Sequence, residues 1–140
     1  MVLVMVLPSG CNRPSSIEPF IIRERSEYGD TYSFPLDMAD STVEYSLSLY
    51  TRIERKAFED YPADSLNLGI RWISPSDSSY LDNVVFSLSE PIDSSYFTKD
   101  FLFEYKDPVK VSEHGDWRVR IQVRNNPECV RGLGIIFKRR

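Results

Sequence analysis

Residues 42–53 alternate apolar and polar side chains, and this alternation constrains the fold more than any other feature of the chain. The apolar positions in the first part of this segment are Val43, Tyr45, Leu47 and Leu49. A period of two places every second side chain on the same face of a β-strand. The same period recurs over residues 66–73 and 117–123. Each of these segments is therefore predicted to be a strand with one buried and one solvated face.

Less regular segments extend the pattern along the chain. Further strands are predicted over residues 31–35, 80–88, 100–106 and 132–137. Pro35 is expected to end the first of these, and residues 35–41 to form a polar connection. In the second, the polar pair Asp82-Asn83 suggests a bulge. Pro19 restricts residues 17–22 to a sheet edge, because proline cannot donate a hydrogen bond to a neighbouring strand.

No segment carries a convincing helical pattern. Residues 55–65 lack strand alternation and contain Pro62, so they are predicted to form a long loop. About seven or eight strands separated by turn signals predict an all-β fold, an antiparallel β-sandwich of the jelly-roll or immunoglobulin-like kind.

The first eleven residues predict where the protein resides. Val2–Leu7 is an unbroken apolar run, which Pro8 ends and which Ser9, Gly10 and Cys11 follow. The run is far shorter than the roughly 20 residues that span a bilayer, but it suits the apolar region of an export signal. Small residues before a cysteine resemble the bacterial lipobox, in which the thiol is lipidated. No Lys or Arg precedes the run, and Pro8 stands where the lipobox usually has Leu.

This interpretation predicts three segments and leaves one alternative. Residues 1–10 would be the signal, residues 11–27 a lipid-anchored tether with an edge segment, and residues 28–140 the sandwich domain. The alternative is a buried first strand in which Cys11 is a small apolar residue. The two cysteines separate these readings, because a lipidated Cys11 leaves Cys129 single, whereas an unmodified Cys11 could form a disulfide with it.

Charge is unevenly distributed along the chain. The net charge of −4 argues against a dedicated nucleic-acid binder. Residues 110–140 nevertheless hold eight Lys or Arg residues and three acids, a net charge of +5. Arg118, Arg120 and Arg124 are therefore candidates for a surface that meets an acidic protein partner or anionic lipid headgroups. The alternative is the solvated outer face of an edge strand.

The sequence offers no recognisable catalytic, metal or cofactor site. Its single histidine, His114, stands in a turn-like Glu-His-Gly-Asp segment, and no Gly-x-Ser-x-Gly motif accompanies it. One histidine and one remaining cysteine cannot assemble a structural zinc site. Asp77 and Asp82 lie in an oxygen-rich segment that lacks the spacing of known calcium loops. We therefore expect a protein that is not an enzyme and needs no cofactor.

Aromatic residues suggest a second function. Tyr50 falls on the outward phase of the strand over residues 42–53 and could contact a glycan, since aromatic rings stack on the apolar faces of sugars. Trp72 and Trp117 fall on inward phases and are expected in the core. The alternative function is therefore that of a carbohydrate-binding accessory lipoprotein of a glycan-uptake system.

Several patterns, taken in order, resemble a known family. They are Tyr32 and Phe34, Asp-Ser-Thr-x-x-Tyr-x-Leu-x-Leu-x-x-Arg over residues 40–52, Tyr61-Pro62, Leu66–Ile70, Gly115-Asp116-Trp117 and Gly132-Leu133-Gly134-Ile135. Together they resemble the gliding-motility lipoprotein H family of the Bacteroidetes. The resemblance implies a non-enzymatic envelope lipoprotein, on the periplasmic side of the outer membrane, associated with a motility or secretion assembly. It carries over one functional residue, Cys11, as the lipidation site, and implies protein partners in the envelope.

Overall fold

Strands form nearly all the regular structure of the computed structural model, which describes residues 16–56, 60–61 and 63–139. The strands are β1 Ser16–Ile17, β2 Phe20–Ile22, β3 Thr31–Met38, β4 Tyr45–Glu54, β5 Ser65–Ile73, β6 Ser79–Ser87, β7 Asp93–Ser94, β8 Thr98–Lys106, β9 Gly115–Val123 and β10 Val130–Arg139. Seven of them contain eight to ten residues. Among the described residues, helical structure is limited to two 3₁₀ turns, Arg23–Arg25 and Pro127–Cys129.

The strands form two sheets, and every strand pair is antiparallel. The six-stranded sheet has the order β1-β10-β4-β8-β7, and β2 also pairs with β10. The four-stranded sheet has the order β3-β9-β5-β6. Both sheets contribute side chains to one buried cluster, so they pack face to face. The predicted antiparallel β-sandwich is confirmed.

Period-two alternation decides which side chains fill the space between the sheets. The inward positions of β5 and β9 are Leu66, Leu68, Ile70, Trp72, Trp117, Val119, Ile121 and Val123, and all are buried. Trp72 and Trp117 lie in this core, as predicted, with their rings edge to face and the ring centroids 6.1 Å apart. The alternate residues of the same strands therefore point to the outer face of the four-stranded sheet.

The N-terminal segment lies at the edge of the six-stranded sheet. Pro19 separates β1 from β2, and both short strands pair with β10. The Pro19 carbonyl accepts a hydrogen bond from the Ile135 amide at 3.1 Å. The predicted signal over residues 1–10 and the lipidation site Cys11 lie outside the described residues. Within the described part of the chain, no helix is long and apolar enough to cross a membrane.

Two local predictions are wrong. Pro35 does not end β3, which continues to Met38 and buries Leu36 and Met38 where a polar connection was expected. Since β3 lies at a sheet edge and Pro35 is opposite Arg118 of β9, the position that lacks an N–H can face away from the partner strand. The predicted bulge at Asp82-Asn83 is also absent, because β6 pairs with β5 in one continuous register from Ser79 to Ser87.

Candidate functional site

The predicted basic residues lie together on the outer face of the four-stranded sheet. Arg118 and Arg120 alternate with the buried residues of β9, and Arg124 directly follows that strand. Arg71 of β5 joins them, because it is directly opposite Arg120 in the strand register. We call Arg71, Arg118, Arg120 and Arg124 the arginine face. Strand β9 lies between β3 and β5, so the edge position that the alternative assumed is wrong, although the arginines do lie on a solvated outer face as it expected.

Hydrogen bonds hold three of the four arginines across the sheet. Arg120 forms an ion pair with Glu27, and Arg124 donates to the side-chain oxygen of Asn83. Arg71 Nη1 donates to Ser79 Oγ at 3.3 Å. The side chain of Arg118 is exposed and forms no hydrogen bond or ion pair with the side chains or backbone of the other described residues. The arginine face therefore presents several guanidinium donors toward solvent, and Arg118 is the least engaged of them.

A shallow depression of about 400 Å³ lies within the arginine face. Its lining residues are Tyr28, Asp30, Thr31, Gly69, Arg71, Leu81, Arg120, Gln122 and Arg124. Gly69 leaves room for the Arg124 side chain, since a Cβ at that position would stand 2.5 Å from a guanidinium nitrogen of Arg124 and would displace it. The missing side chain lets Arg124 extend across β5 to Asn83. The depression thus places arginine donors beside a carboxylate and an amide.

An acidic pair borders the arginine face. Asp37 of β3 is directly opposite Asp116 of β9, two residues before Arg118 on the same side of that strand. With Asp77 they line a second depression, of about 670 Å³. Among the described residues, no group of His, Cys, Asp or Glu side chains is arranged to hold a metal ion. The outer face of the sheet therefore carries both signs of charge in adjacent rows.

Two other polar residues considered from sequence, His114 and Asp82, lie outside the arginine face. His114 is exposed in the turn before β9. Its neighbour Glu113 instead accepts hydrogen bonds from the Ser76 backbone N–H and hydroxyl, both at 2.8 Å. Asp82 accepts a hydrogen bond from the Tyr105 hydroxyl at 2.6 Å. These contacts join loops and strands rather than aligning a base with a nucleophile.

Tyr50 lies on the outer face of the six-stranded sheet, as its outward phase predicted. Its ring is half-buried because Phe20 of β2 packs against it edge to face, with ring centroids 5.7 Å apart. The two rings line a depression of about 360 Å³ with Ile92, Leu102 and Ile136. We call Phe20, Ile22, Tyr50, Ile92, Leu102 and Ile136 the apolar face. Tyr50 is thus one part of a largely aliphatic surface.

A polar group joins this surface at Asp100. Its carboxylate accepts hydrogen bonds from Arg52 Nε at 2.7 Å, Arg52 Nη2 at 3.0 Å and the Tyr50 hydroxyl at 2.8 Å. The Arg52 hydrogen bonds hold the pKa of Asp100 below its usual value. Burial, and then the carboxylate, raise the pKa of Tyr50. The cluster thus keeps Asp100 charged although its side chain is almost fully buried.

Cys129 is buried and is a free thiol. Burial raises its pKa above the usual value for a cysteine. Its predicted alternatives, a single thiol or a bridge to Cys11, depend on a residue outside the described part of the chain.

Sequence reasoning missed Arg71 and the Asp100–Arg52 pair. Arg71 stands at a polar position of its alternating segment, which marks it as outward. Its pairing with Arg120 depends on a register between strands that are far apart in sequence. Asp100 stands at the start of a predicted strand, and its partner Arg52 is 48 residues away. Local patterns could show that these residues lie in strands, but not which residues they contact.

The fold and the two surfaces define a β-sandwich protein with an arginine face on one sheet and an apolar face on the other. Comparison with known proteins adds no family to this description: no protein-family model matches the chain, and no curated protein matches it significantly.

Proposed function

We propose that this protein is a lipid-anchored, non-enzymatic accessory component of the cell envelope that docks a partner protein through the arginine face. The observation that carries the proposal is the pairing of Arg71 with Arg120 in the strand register. Like charges directly opposite each other destabilise a sheet. Glu27 already compensates part of this repulsion through its ion pair with Arg120, and an acidic partner surface would offset the rest and be oriented by it. The resemblance to gliding-motility lipoproteins suggests that the partner belongs to a motility or secretion assembly.

The charge pattern favours a protein partner over lipid headgroups. Asp37 and Asp116 lie in the row next to Arg118, so the outer face of this sheet alternates in sign over a short distance. An anionic bilayer surface would attract the arginines but repel this acidic row. A protein surface can match both rows and gain specificity from the pattern.

The anchor in this proposal is Cys11. Stable membrane attachment requires more than one acyl chain or a second membrane-binding feature, and a lipidated N-terminal cysteine carries several chains. Intact-mass and peptide mass spectrometry of protein extracted from native membranes tests this directly. A first peptide that begins at Cys11 and carries acyl mass supports the anchor. An unmodified peptide that retains Met1 contradicts it, and leaves Val2–Leu7 as a candidate strand of the domain.

Charge reversal tests the docking surface. Arg118→Glu is the preferred variant, because Arg118 is exposed and the substitution breaks no ion pair of the described residues. Lys138→Glu is the matched control, since Lys138 is exposed on β10 of the other sheet. The partner is first identified by cross-linking to the wild-type membrane protein and then titrated as a purified protein. We expect Arg118→Glu to weaken binding about tenfold or more, equivalent to about 1.4 kcal/mol, and Lys138→Glu to leave it unchanged. Equal affinity of both variants would exclude the arginine face as the docking site.

A second candidate, carbohydrate binding, is favoured by the cluster at Tyr50. Apolar side chains beside a hydrogen-bonded carboxylate and guanidinium match the two kinds of surface that a sugar presents. Glycan-array binding that is lost in Tyr50→Ala and retained in Tyr80→Ala would support it, because Tyr80 is a half-exposed aromatic residue of the other sheet. Binding that both variants retain would remove this candidate.

A further inference from the structure

The apolar face exposes several large hydrophobic side chains next to one another. Phe20 is 44% exposed, Leu102 43% and Ile92 58%, and Ile22 is exposed beside them. Phe20, Ile92 and Leu102 line one depression together with Ile136, so their apolar atoms are contiguous rather than scattered. Contiguous apolar surface that water contacts indicates a site of interaction with a protein or a membrane.

Two glycines of β10 create the position of Phe20 in this face. A Cβ on Gly132 would stand 2.5 Å from the Phe20 ring, and a Cβ on Gly134 would stand 2.9 Å from it. Because neither side chain exists, the Phe20 ring lies flat against β10 and reaches Tyr50 of β4. Phe20 of the N-terminal segment thus covers part of β10 and adds its ring to the apolar surface of the sheet.

The apolar face adjoins the predicted anchor. Strand β1 begins at Ser16 and pairs with β10 at the edge of the six-stranded sheet, five peptide steps after Cys11. A fully extended chain of that length spans at most about 18 Å. If Cys11 carries the lipid, this edge of the sheet remains within that distance of the headgroups. Phe20 and Ile22 follow Ser16 by only four and six residues.

We propose that the apolar face rests on the bilayer surface and that the arginine face points away from the membrane. The inference rests on the proposed lipid anchor. It adds a second contact with the same lipid bilayer, made by the apolar face. The charges on this side are mixed: Asp100 and Arg52 neutralise each other, Glu104 accompanies Leu102 on the outward phase of β8, and Lys138 accompanies Ile136 on that of β10. Contact through aliphatic and aromatic side chains predicts an orientation that is independent of anionic lipid and of salt.

Site-specific fluorescence measures which face meets the lipid. The acylated full-length mature protein is inserted into phosphatidylcholine vesicles after an environment-sensitive dye is attached at Leu102→Cys or at Val85→Cys. Val85 is the matched control, since it is a 67% exposed aliphatic residue on the outer face of the other sheet. Protein without an introduced cysteine gives the background, because Cys129 is buried. Ile92→Cys provides a second position on the apolar face should labelling at residue 102 disturb the fold.

Quenching by lipids with a spin label near the headgroup then decides the orientation. We expect quenching at residues 102 and 92 to exceed that at residue 85 by about threefold or more, because side chains at the interface insert roughly 5–10 Å into the headgroup region. Phe20→Ser should lower the quenching at residue 102. Equal quenching on both faces, or stronger quenching at residue 85, would overturn the inference.

The outcomes separate this inference from the anchor itself. Protein that lacks acyl mass on Cys11 and does not float with vesicles contradicts the proposed function. Protein that is acylated and floats, but is not quenched at residues 102 and 92, contradicts the orientation alone. Persistence of the quenching pattern in vesicles with added anionic lipid would confirm that apolar contact, and not charge, sets the orientation.

Discussion

Replacing Asp100 with Asn tests the polar cluster that joins β4 to β8. The carboxylate accepts three hydrogen bonds, two from Arg52 and one from the Tyr50 hydroxyl. Asn has nearly the same shape, but it carries no charge and replaces one acceptor oxygen with a donor. The substitution therefore opposes donor to donor at one of the three contacts and removes the charge from the other two.

The exposure of the two partners sets the magnitude. The Asp100 side chain is 8% exposed, whereas that of Arg52 is 48% exposed. Breaking a fully buried ion pair costs about 3–5 kcal/mol, and breaking an exposed one about 0–1 kcal/mol. Because water reaches Arg52 but not Asp100, we expect Asp100→Asn to lower the free energy of unfolding by about 2 kcal/mol at pH 7.

The pKa of Asp100 gives the sign of the pH dependence. Arg52 lowers that pKa below the usual value of 3.8. Such a group contributes its stabilisation fully above the pKa of the unfolded state, and the contribution is lost as the pH falls through the folded-state pKa. The difference in unfolding free energy between wild type and Asp100→Asn should therefore be largest near neutral pH and shrink below about pH 4.

Urea denaturation followed by tryptophan fluorescence measures this difference, since Trp72 and Trp117 are both buried. Glu104→Gln is the matched control, because Glu104 is an exposed carboxylate on the same strand. It should change stability by less than about 0.5 kcal/mol. A loss in Glu104→Gln as large as that in Asp100→Asn would refute the reasoning. So would a difference that remains constant from pH 7 to pH 3.

Three further predictions concern packing and reactivity. Gly134→Ala places a Cβ 2.9 Å from the Pro19 carbonyl oxygen, so the edge segment must shift. The free energy of unfolding should fall by about 1–2 kcal/mol, and hydrogen exchange in β2 should accelerate. Unchanged exchange would argue against the contact. Trp72→Phe removes the hydrogen bond from the indole N–H to the Tyr105 hydroxyl, 3.0 Å long; a loss of about 2–3 kcal/mol in urea denaturation is expected, and no loss would show that the bond is replaced. The Cys129 thiol should react with Ellman's reagent about 100-fold faster in urea than in the native protein, because it is buried and its pKa is raised; comparable rates would show that the site opens readily.

The alternation of β5 and β9 was sufficient to predict which of their own residues enter the core. Leu68 and Ile70 are buried and Arg71 points outward because each strand has one face against the other sheet. Period-two patterns report this division directly, since it depends only on the strand's own geometry. The fold class follows from several such strands together, without knowledge of their partners.

Pro35 shows that a local sequence rule, that proline ends a strand, can fail at a sheet edge. Proline disrupts a strand only where its missing N–H would have met a partner, and β3 has a partner on one side alone. The sequence around Pro35 does not state that β3 is an edge strand. That fact depends on the order of strands in the sheet, which contacts between distant segments determine. The same is true of Arg120: its sequence pattern left open an edge position, whereas its strand lies in the interior of the sheet.

The two faces constrain each other because they belong to opposite sides of one sandwich. The outer faces of two packed sheets point in opposite directions, and about 10 Å separates the sheets. A bilayer that contacts Leu102 therefore cannot also contact Arg118 without a rotation of the whole domain. If the short tether holds the apolar face on the membrane, the arginines must meet their ligand from the aqueous side. Salt should then weaken partner binding without changing the membrane orientation, because only the first contact depends on charge. A coupled response, in which salt releases both contacts together, would mean that one surface serves both.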